Sequence, residues 1–416
     1  MPRPAHGVGA DGASSSPAVK APLLTDIDLA YGTVLGEIDG ARPISRRRPA
    51  ITPRAALEEA LGRALRRPPC LVSFSGGLDS SSLLAVATQL ARREGYALPI
   101  PATLRFPGSH DADEDEWQTL VIGHLGLVEW LRITVDGDEL DLVGPVAAAA
   151  MRRHGLLWPC NAHFHAPIVA AAAHGSVVTG FGGDELAVLS ATSRAERVLA
   201  CRARPRLTDA LVVGLAVSPR PVRTWVHARR ARLSLQELPW LTDVGVRHIA
   251  RAVGASVGSD PLGWSRTIRH QFPRDRYIAV CAQSLAALGA DHDVEVVHPF
   301  VDPVVLDALA GLGGFAGLGF RADLVRTLFG DVLPSTLLGR SSKASFDDAL
   351  VTSTARRFAA AWSGGGVTSD LVDVEALRRH WSSGEIDGAS LTLLQAAWIH
   401  DDSARHGATQ RTAPPT

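Results

Sequence analysis

Residues 71–82 read Leu71-Val72-Ser73-Phe74-Ser75-Gly76-Gly77-Leu78-Asp79-Ser80-Ser81-Ser82, and they constrain the fold more than any other stretch. An apolar run breaks at a Ser-Gly-Gly turn. Apolar residues then recur at helical spacing as Leu83, Leu84, Val86, Ala87 and Leu90. That pattern is strand, loop, helix N-terminus. Gly76 and Gly77 let the backbone approach an anion closely, because no Cβ intervenes. The free N–H groups of the first helical turn point at the same place, and Ser75, Ser80 and Ser81 bring hydroxyls to it. Asp79 puts a carboxylate into a loop suited to phosphate. Either a divalent cation lies between the two, or Asp79 caps the helix. The spacing is neither G-x-x-x-x-G-K-[ST] nor G-x-G-x-x-G, so a Walker loop is excluded and a dinucleotide fold is disfavoured.

Thr52-Pro53 followed by Ala55, Leu57, Ala60, Leu61, Ala64 and Leu65 reads as a capped amphipathic helix leading into the first strand. Further strands are expected at 101–107, 128–135 and 176–179, with helices at 114–125 and 140–154. Strands alternating with helices imply a parallel sheet with helices on both faces. Ligands of such sheets bind at the carboxyl ends of the strands. The loops 75–80 and 180–184 each follow an expected strand and so converge on one edge. The short apolar pieces in 22–50 read as remnant strands or a hairpin. Beyond Arg194 strand signals fade, giving a helical C-terminal half. Residues 202–232 are basic, with Arg223, Arg229, Arg230 and Arg232 beside Trp225 and His227. They are either a solvated helix face or a docking surface for an acidic substrate or partner.

The 416 residues are 46% hydrophobic and 20% charged with a net charge of −1, so no global charge points to nucleic acid or membrane. No apolar run reaches a membrane span. Residues 1–21 are rich in Pro, Gly, Ala and Ser without a signal core and read as a disordered tail, as do 403–416. Cys70, Cys160, Cys201 and Cys281 are scattered, which fits structural thiols in a reduced, cytoplasmic protein. His163 and His165 stand two apart with no third ligand in view, so zinc is not expected.

The loop 75–80 resembles the S-G-G-x-D-S loop of ATP-dependent synthetases that adenylylate a carboxylate. Val177-Val178-Thr179-Gly180-Phe181-Gly182-Gly183-Asp184-Glu185-Leu186 is similar to the pyrophosphate-side loop of the asparagine-synthetase family. His298-Pro299-Phe300-Val301-Asp302-Pro303 resembles that family's P-F-x-D segment, and Arg340-Ser341-Ser342-Lys343-Ala344-Ser345-Phe346 its late catalytic-lysine loop. The four blocks stand in the family's order. The resemblance implies an α/β synthetase domain of the adenine nucleotide alpha-hydrolase type over 67–402, with 22–66 as a residual segment and linker helix. It implies that Ser75, Gly76, Gly77, Asp79 and Ser80 cradle ATP phosphates, with Gly182 and Gly183 beside them. Leu104 and Phe106 would flank adenine on their strand. Asp79 and Asp184 would share magnesium; taken alone, Asp184-Glu185 reads as a helix N-terminus with acids against the dipole. Lys343 would stabilise the acyl-adenylate and the oxyanion that follows, where the plain alternative is a surface lysine. Glu295 matches an acidic position that orients a base or the amine, and it equally fits a strand-edge carboxylate.

Two departures narrow the expectation. Phe181 stands where asparagine synthetases carry Glu and β-lactam synthetases Tyr, and phenylalanine takes no proton. Pro2 follows Met1, and only 70 residues precede the strand that opens at Leu71, so no complete glutaminase domain is expected. Asp113–Gln118, His154–Pro159 and Asn161–His165 look like segments of lasso-peptide cyclases. Those enzymes activate an Asp or Glu side chain of a precursor peptide and close a macrolactam with its N-terminal amine. The implied partners are the precursor peptide and the pathway's leader peptidase and leader-recognition protein. The alternatives are another ATP-dependent amide ligase, β-lactam synthetase-like or asparagine synthetase-like, or an inactive scaffold. Intact Asp79, Asp184 and Lys343 argue against the scaffold.

Overall fold

Five short strands form one parallel sheet: β1 (Cys70–Ser73), β2 (Ile100–Arg105), β3 (Leu131–Thr134), β4 (Ser176–Val178) and β5 (Glu295–Val297), in the order β3-β2-β1-β4-β5. The computed structural model describes residues 24–46, 50–107, 114–187, 192–319, 321–340, 347–368 and 370–412. The strand order reverses between β1 and β4, which both lie beside the phosphate loop. That is where a doubly wound sheet opens a crevice at its carboxyl edge.

Alternate residues of β1 face opposite layers, as the period of two requires. Cys70 and Val72 pack with α2 (Pro53–Leu65) and α3 (Leu78–Glu94). Leu71, with Ala102 and Val177, packs on Ile168 and Val169 of α6 (Ala166–Ala171). Helices therefore cover both faces, as the alternation implied. The Thr52 side chain accepts from the Ala55 N–H at 3.2 Å and Pro53 opens α2, a common helix start because proline's missing N–H costs nothing there.

Several expectations are corrected. In the segment 22–50, residues 26–31 form a helix, α1 (Asp26–Tyr31), rather than a strand or hairpin. A Thr25/Asp28 capping box holds it, and Asp28 pairs with Arg276 at 2.8 Å. Helix α4 (Asp115–Leu125) lies where expected. Helix α5 (Pro145–His154) starts at the proline, later than the apolar spacing suggested, because Gly144-Pro145 sets its first turn. The C-terminal helix runs Leu391–Thr412, so residues 403–412 are helical and not a tail. Arg152 anchors it through Asp402 at 2.8 Å. The N-terminal tail expected over 1–21 lies outside the described residues.

The C-terminal half is helical, as expected, apart from β5. Helices α7 (Gly183–Ala187), α8 (Ser193–Leu199), α9 (Asp209–Val217), α10 (Arg220–Ser234) and α11 (Asp243–Ser259) follow β4. Trp240, Trp362, Trp381 and Leu394, all fully buried, centre a second core. Leu104 and Phe106 at the end of β2 pack against its edge, which ties the sheet to the helical lobe. Among the described residues no helix is long and apolar enough to cross a membrane.

Candidate active site

A cavity of about 320 Å³ opens at the carboxyl edge of the sheet. The phosphate loop forms its floor through Ser75, Gly77, Asp79 and Ser80. Gly76 takes φ +83, a left-handed conformation that glycine adopts freely. A Cβ there would meet Gln118 Cγ at 2.9 Å. Ser75 and Ser80 hold the turn, their hydroxyls 3.3 Å apart, and Ser80 Oγ donates to the Gly77 carbonyl at 3.2 Å. No side chain caps α3 at Gly77, so its first N–H groups remain available to an anion. Asp79 therefore does not act as the helix cap.

Asp79 instead turns toward the loop after β4. Arg321, at the start of the helix Arg321–Phe329, donates to Asp79 Oδ2 at 2.6 Å and pairs with Asp184. One guanidinium thus joins the carboxylates of two separate loops. Close packing forces this meeting: a Cβ on Gly183 would lie 2.4 Å from Asp79 Cγ. Gly182 is held at φ +95 against Phe300 and Val301, which brings the His298–Pro303 block under the same loop. The Asp79 carboxyl is raised to about 6, chiefly by burial; Arg321 pulls it down, and Asp184 and Glu185 add to the rise. The site is short of positive charge for the acids it holds. Among the described residues no cluster of three His, Cys, Asp or Glu could hold a metal by itself. Two carboxylates fit magnesium only if phosphate oxygens complete the shell, as in nucleotide sites.

A buried pair clamps the loop from its other side. Arg340 binds Glu114, both nearly inaccessible, and donates to the Gly76 carbonyl at 3.1 Å. Gln118 Nε2 donates to the Ser75 carbonyl at 3.2 Å. Arg340 directly precedes the segment 341–346. Lys343 lies in that segment, outside the described residues, but the base of its loop is fastened to the phosphate loop.

Leu104 and Phe106 line the opposite wall with Ala102, Phe164 and Ile168. The Phe106 and Phe164 rings lie 5.8 Å apart. This apolar slot beside the phosphate loop suits a flat heterocycle. His165 also lines the cavity. Burial draws its pKa down to about 4, so the imidazole is neutral at pH 7, and its Nδ1 makes no well-formed hydrogen bond. Next to the loop, His298 accepts or donates at 2.7 Å with Thr179 and stacks edge-on to Phe181, centroids 5.4 Å apart. Phe181 packs with Trp158, Val280 and Cys281. Behind it Glu185 bonds Tyr277, and burial raises both groups above their usual values.

The sheet brings together Ser75, Gly76, Gly77, Asp79, Ser80, Leu104, Phe106, Gly182, Gly183 and Asp184. Glu295 is not brought there. It opens β5, paired with Ser176 at the amino end of β4, and all strands are parallel, so it sits at the edge opposite the cavity. The corresponding carboxyl end of β5 delivers His298 instead. Arg321 was missed by sequence reasoning, and Arg340 and Glu114 were quoted within motif blocks without their pairing or a role at the loop. Arg321 is one arginine among many, and only the juxtaposition of two acids needing a cation could have flagged it.

Residues 52–399 match the Asparagine synthase family model. No curated protein matches the chain significantly. The match covers most of the chain, which belongs to the asparagine synthase family and is an ATP-dependent ligase of the amide-forming kind.

Proposed function

We propose that this ligase activates a side-chain carboxylate of a peptide as its acyl-adenylate and closes a macrolactam with that peptide's N-terminal amine. The carboxylate oxygen attacks the α-phosphorus of ATP and pyrophosphate leaves. The amine then attacks the acyl carbon, AMP departs, and the amine gives up one proton. The observation that carries this reading is Phe181. By the resemblance it stands at the family's amine-side position, and its apolar ring, packed with His298 and Trp158, offers nothing to bind or deprotonate ammonia. An amine held by its own peptide needs no such group, because tethering supplies effective concentration.

Ser75, Ser80 and the amides of α3 would bind the triphosphate, and Arg321 would add a positive charge there. Asp79 and Asp184 would hold magnesium, which would supply charge neutralisation of the leaving pyrophosphate. Lys343 would stabilise the oxyanion formed as the amine adds. The proton goes to His165, the neutral imidazole in the cavity wall. So weak a base does not strip a free ammonium. The amine must arrive neutral, and the ring takes its proton only as the C–N bond forms.

His165→Gln separates the two half-reactions. Peptide-dependent ATP–pyrophosphate exchange should persist while ring closure falls about a hundredfold. Ring closure in the wild type should rise with pH toward the N-terminal amine value of about 8, and exchange should not follow it. Equal losses in both half-reactions would remove His165 from proton transfer. Exchange driven by free aspartate but by no peptide would remove the peptide reading itself.

A further inference from the structure

Helix α10 buries no residue at all, which is unusual for a helix of 15 residues on a folded domain. It nevertheless packs tightly on α11. A Cβ on Gly254 would meet the Thr224 carbonyl at 2.6 Å and Ala228 Cβ at 2.7 Å, and one on Gly258 would meet Thr224 Oγ1 at 2.6 Å. Small residues therefore seat the two backbones close together, and the larger side chains of α10 are left standing outside the contact. Val222, Trp225, Arg229, Arg232 and Leu233 follow helical spacing along one side and are all exposed, Trp225 by 63% and Leu233 by 65%.

Trp225, Arg229, Arg232 and Leu233 form one wall of a groove of about 450 Å³, and Arg247 and Arg251 of α11 stand across from them. None of these four arginines joins an ion pair among the described residues. From Arg202 to Gln236 the only acid is Asp209, and Arg194 neutralises it at 2.6 Å. The groove thus combines uncompensated positive charge on both walls with exposed aromatic and aliphatic surface. Arginine and tryptophan are the residues enriched where proteins bind one another, and unpaired arginines recognise acidic motifs. A bilayer would need these groups on a convex or flat face, whereas here they line a cleft between two helices.

We propose that the α10–α11 groove is a docking site for an acidic polypeptide segment with apolar anchor residues, separate from the active site. The apolar residues of that segment lie on Trp225 and Leu233, and its carboxylates pair with Arg229, Arg232, Arg247 and Arg251.

The test uses the full chain and a fluorescein-labelled peptide of repeated Glu-Glu-Leu, with a Lys-Lys-Leu peptide and phosphatidylserine vesicles as alternatives. Anisotropy should show saturable binding of the acidic peptide alone, weakening as salt rises. Arg229→Glu/Arg247→Glu should weaken it at least about tenfold, and Trp225→Ser should weaken it severalfold, with ATP–pyrophosphate exchange unchanged in both. Arg230→Glu alters charge on α10 outside this groove and should change affinity by less than about twofold. Equal loss in Arg230→Glu, unchanged affinity in the double variant, or vesicle binding that the double variant abolishes would each overturn the proposal.

Discussion

Asp79→Asn should make the ligand-free protein more stable while destroying its activity. The Asp79 carboxyl lies 17% exposed between Arg321 and two further acids, and its pKa is raised from 3.8 to about 6. In the unfolded chain it ionises near 3.8. Between those values the folded state binds more protons than the unfolded state, so stability falls as pH rises through the window, and above about pH 6 the whole penalty is present. The gap corresponds to about 3 kcal/mol at neutral pH. Asparagine removes the charge and keeps the shape. Thermal melts at pH 7.5 without magnesium or nucleotide should show the variant about 4 °C above wild type, and the difference should vanish near pH 4. Magnesium and ATP should then raise the wild-type melting temperature and leave the variant unmoved, with exchange abolished. A variant that melts at or below wild type at pH 7.5 would refute the claim that this carboxylate is held at a cost for a cation.

Gly183→Ala would drive a methyl into the Asp79 carboxylate; exchange should fall at least about tenfold at fixed magnesium, checked by radiolabelled pyrophosphate, since misplacing a reacting group by an ångström costs that and more. Lys343→Ala should lower kcat by about two orders of magnitude with little change in the KM for ATP, and steady-state kinetics distinguish that from a binding role.

The sheet and its loops were legible because their signals are local. A Gly-Gly turn between an apolar run and a helical period states strand, loop and helix within 20 residues, which places Asp79 at the loop, whereas Asp184, Leu104 and Phe106 were marked as site residues by the family resemblance of their blocks. Glu295 misled for an equally local reason. Its block ends beside the loop after β4, but the acid sits at the start of β5, and only the direction of the parallel strand shows that the chain enters the sheet there and reaches the carboxyl edge at His298, against Thr179 and Phe181. Arg321 and Arg340 pair with acids hundreds of residues distant, Asp79 and Glu114, and no periodicity carries such information. The 403–412 segment looked like tail by composition, yet Arg152 and the tryptophan-rich core fix the helix that contains it.

The central claim is tested most directly by incubating the protein with ATP, magnesium and a candidate peptide that has a free N-terminus and an internal Asp or Glu. The expected product is a peptide lighter by one water, with one AMP and one pyrophosphate released per ring and no effect of added ammonium. Formation of asparagine from aspartate and ammonia, or release of ADP and phosphate in place of AMP and pyrophosphate, would contradict it.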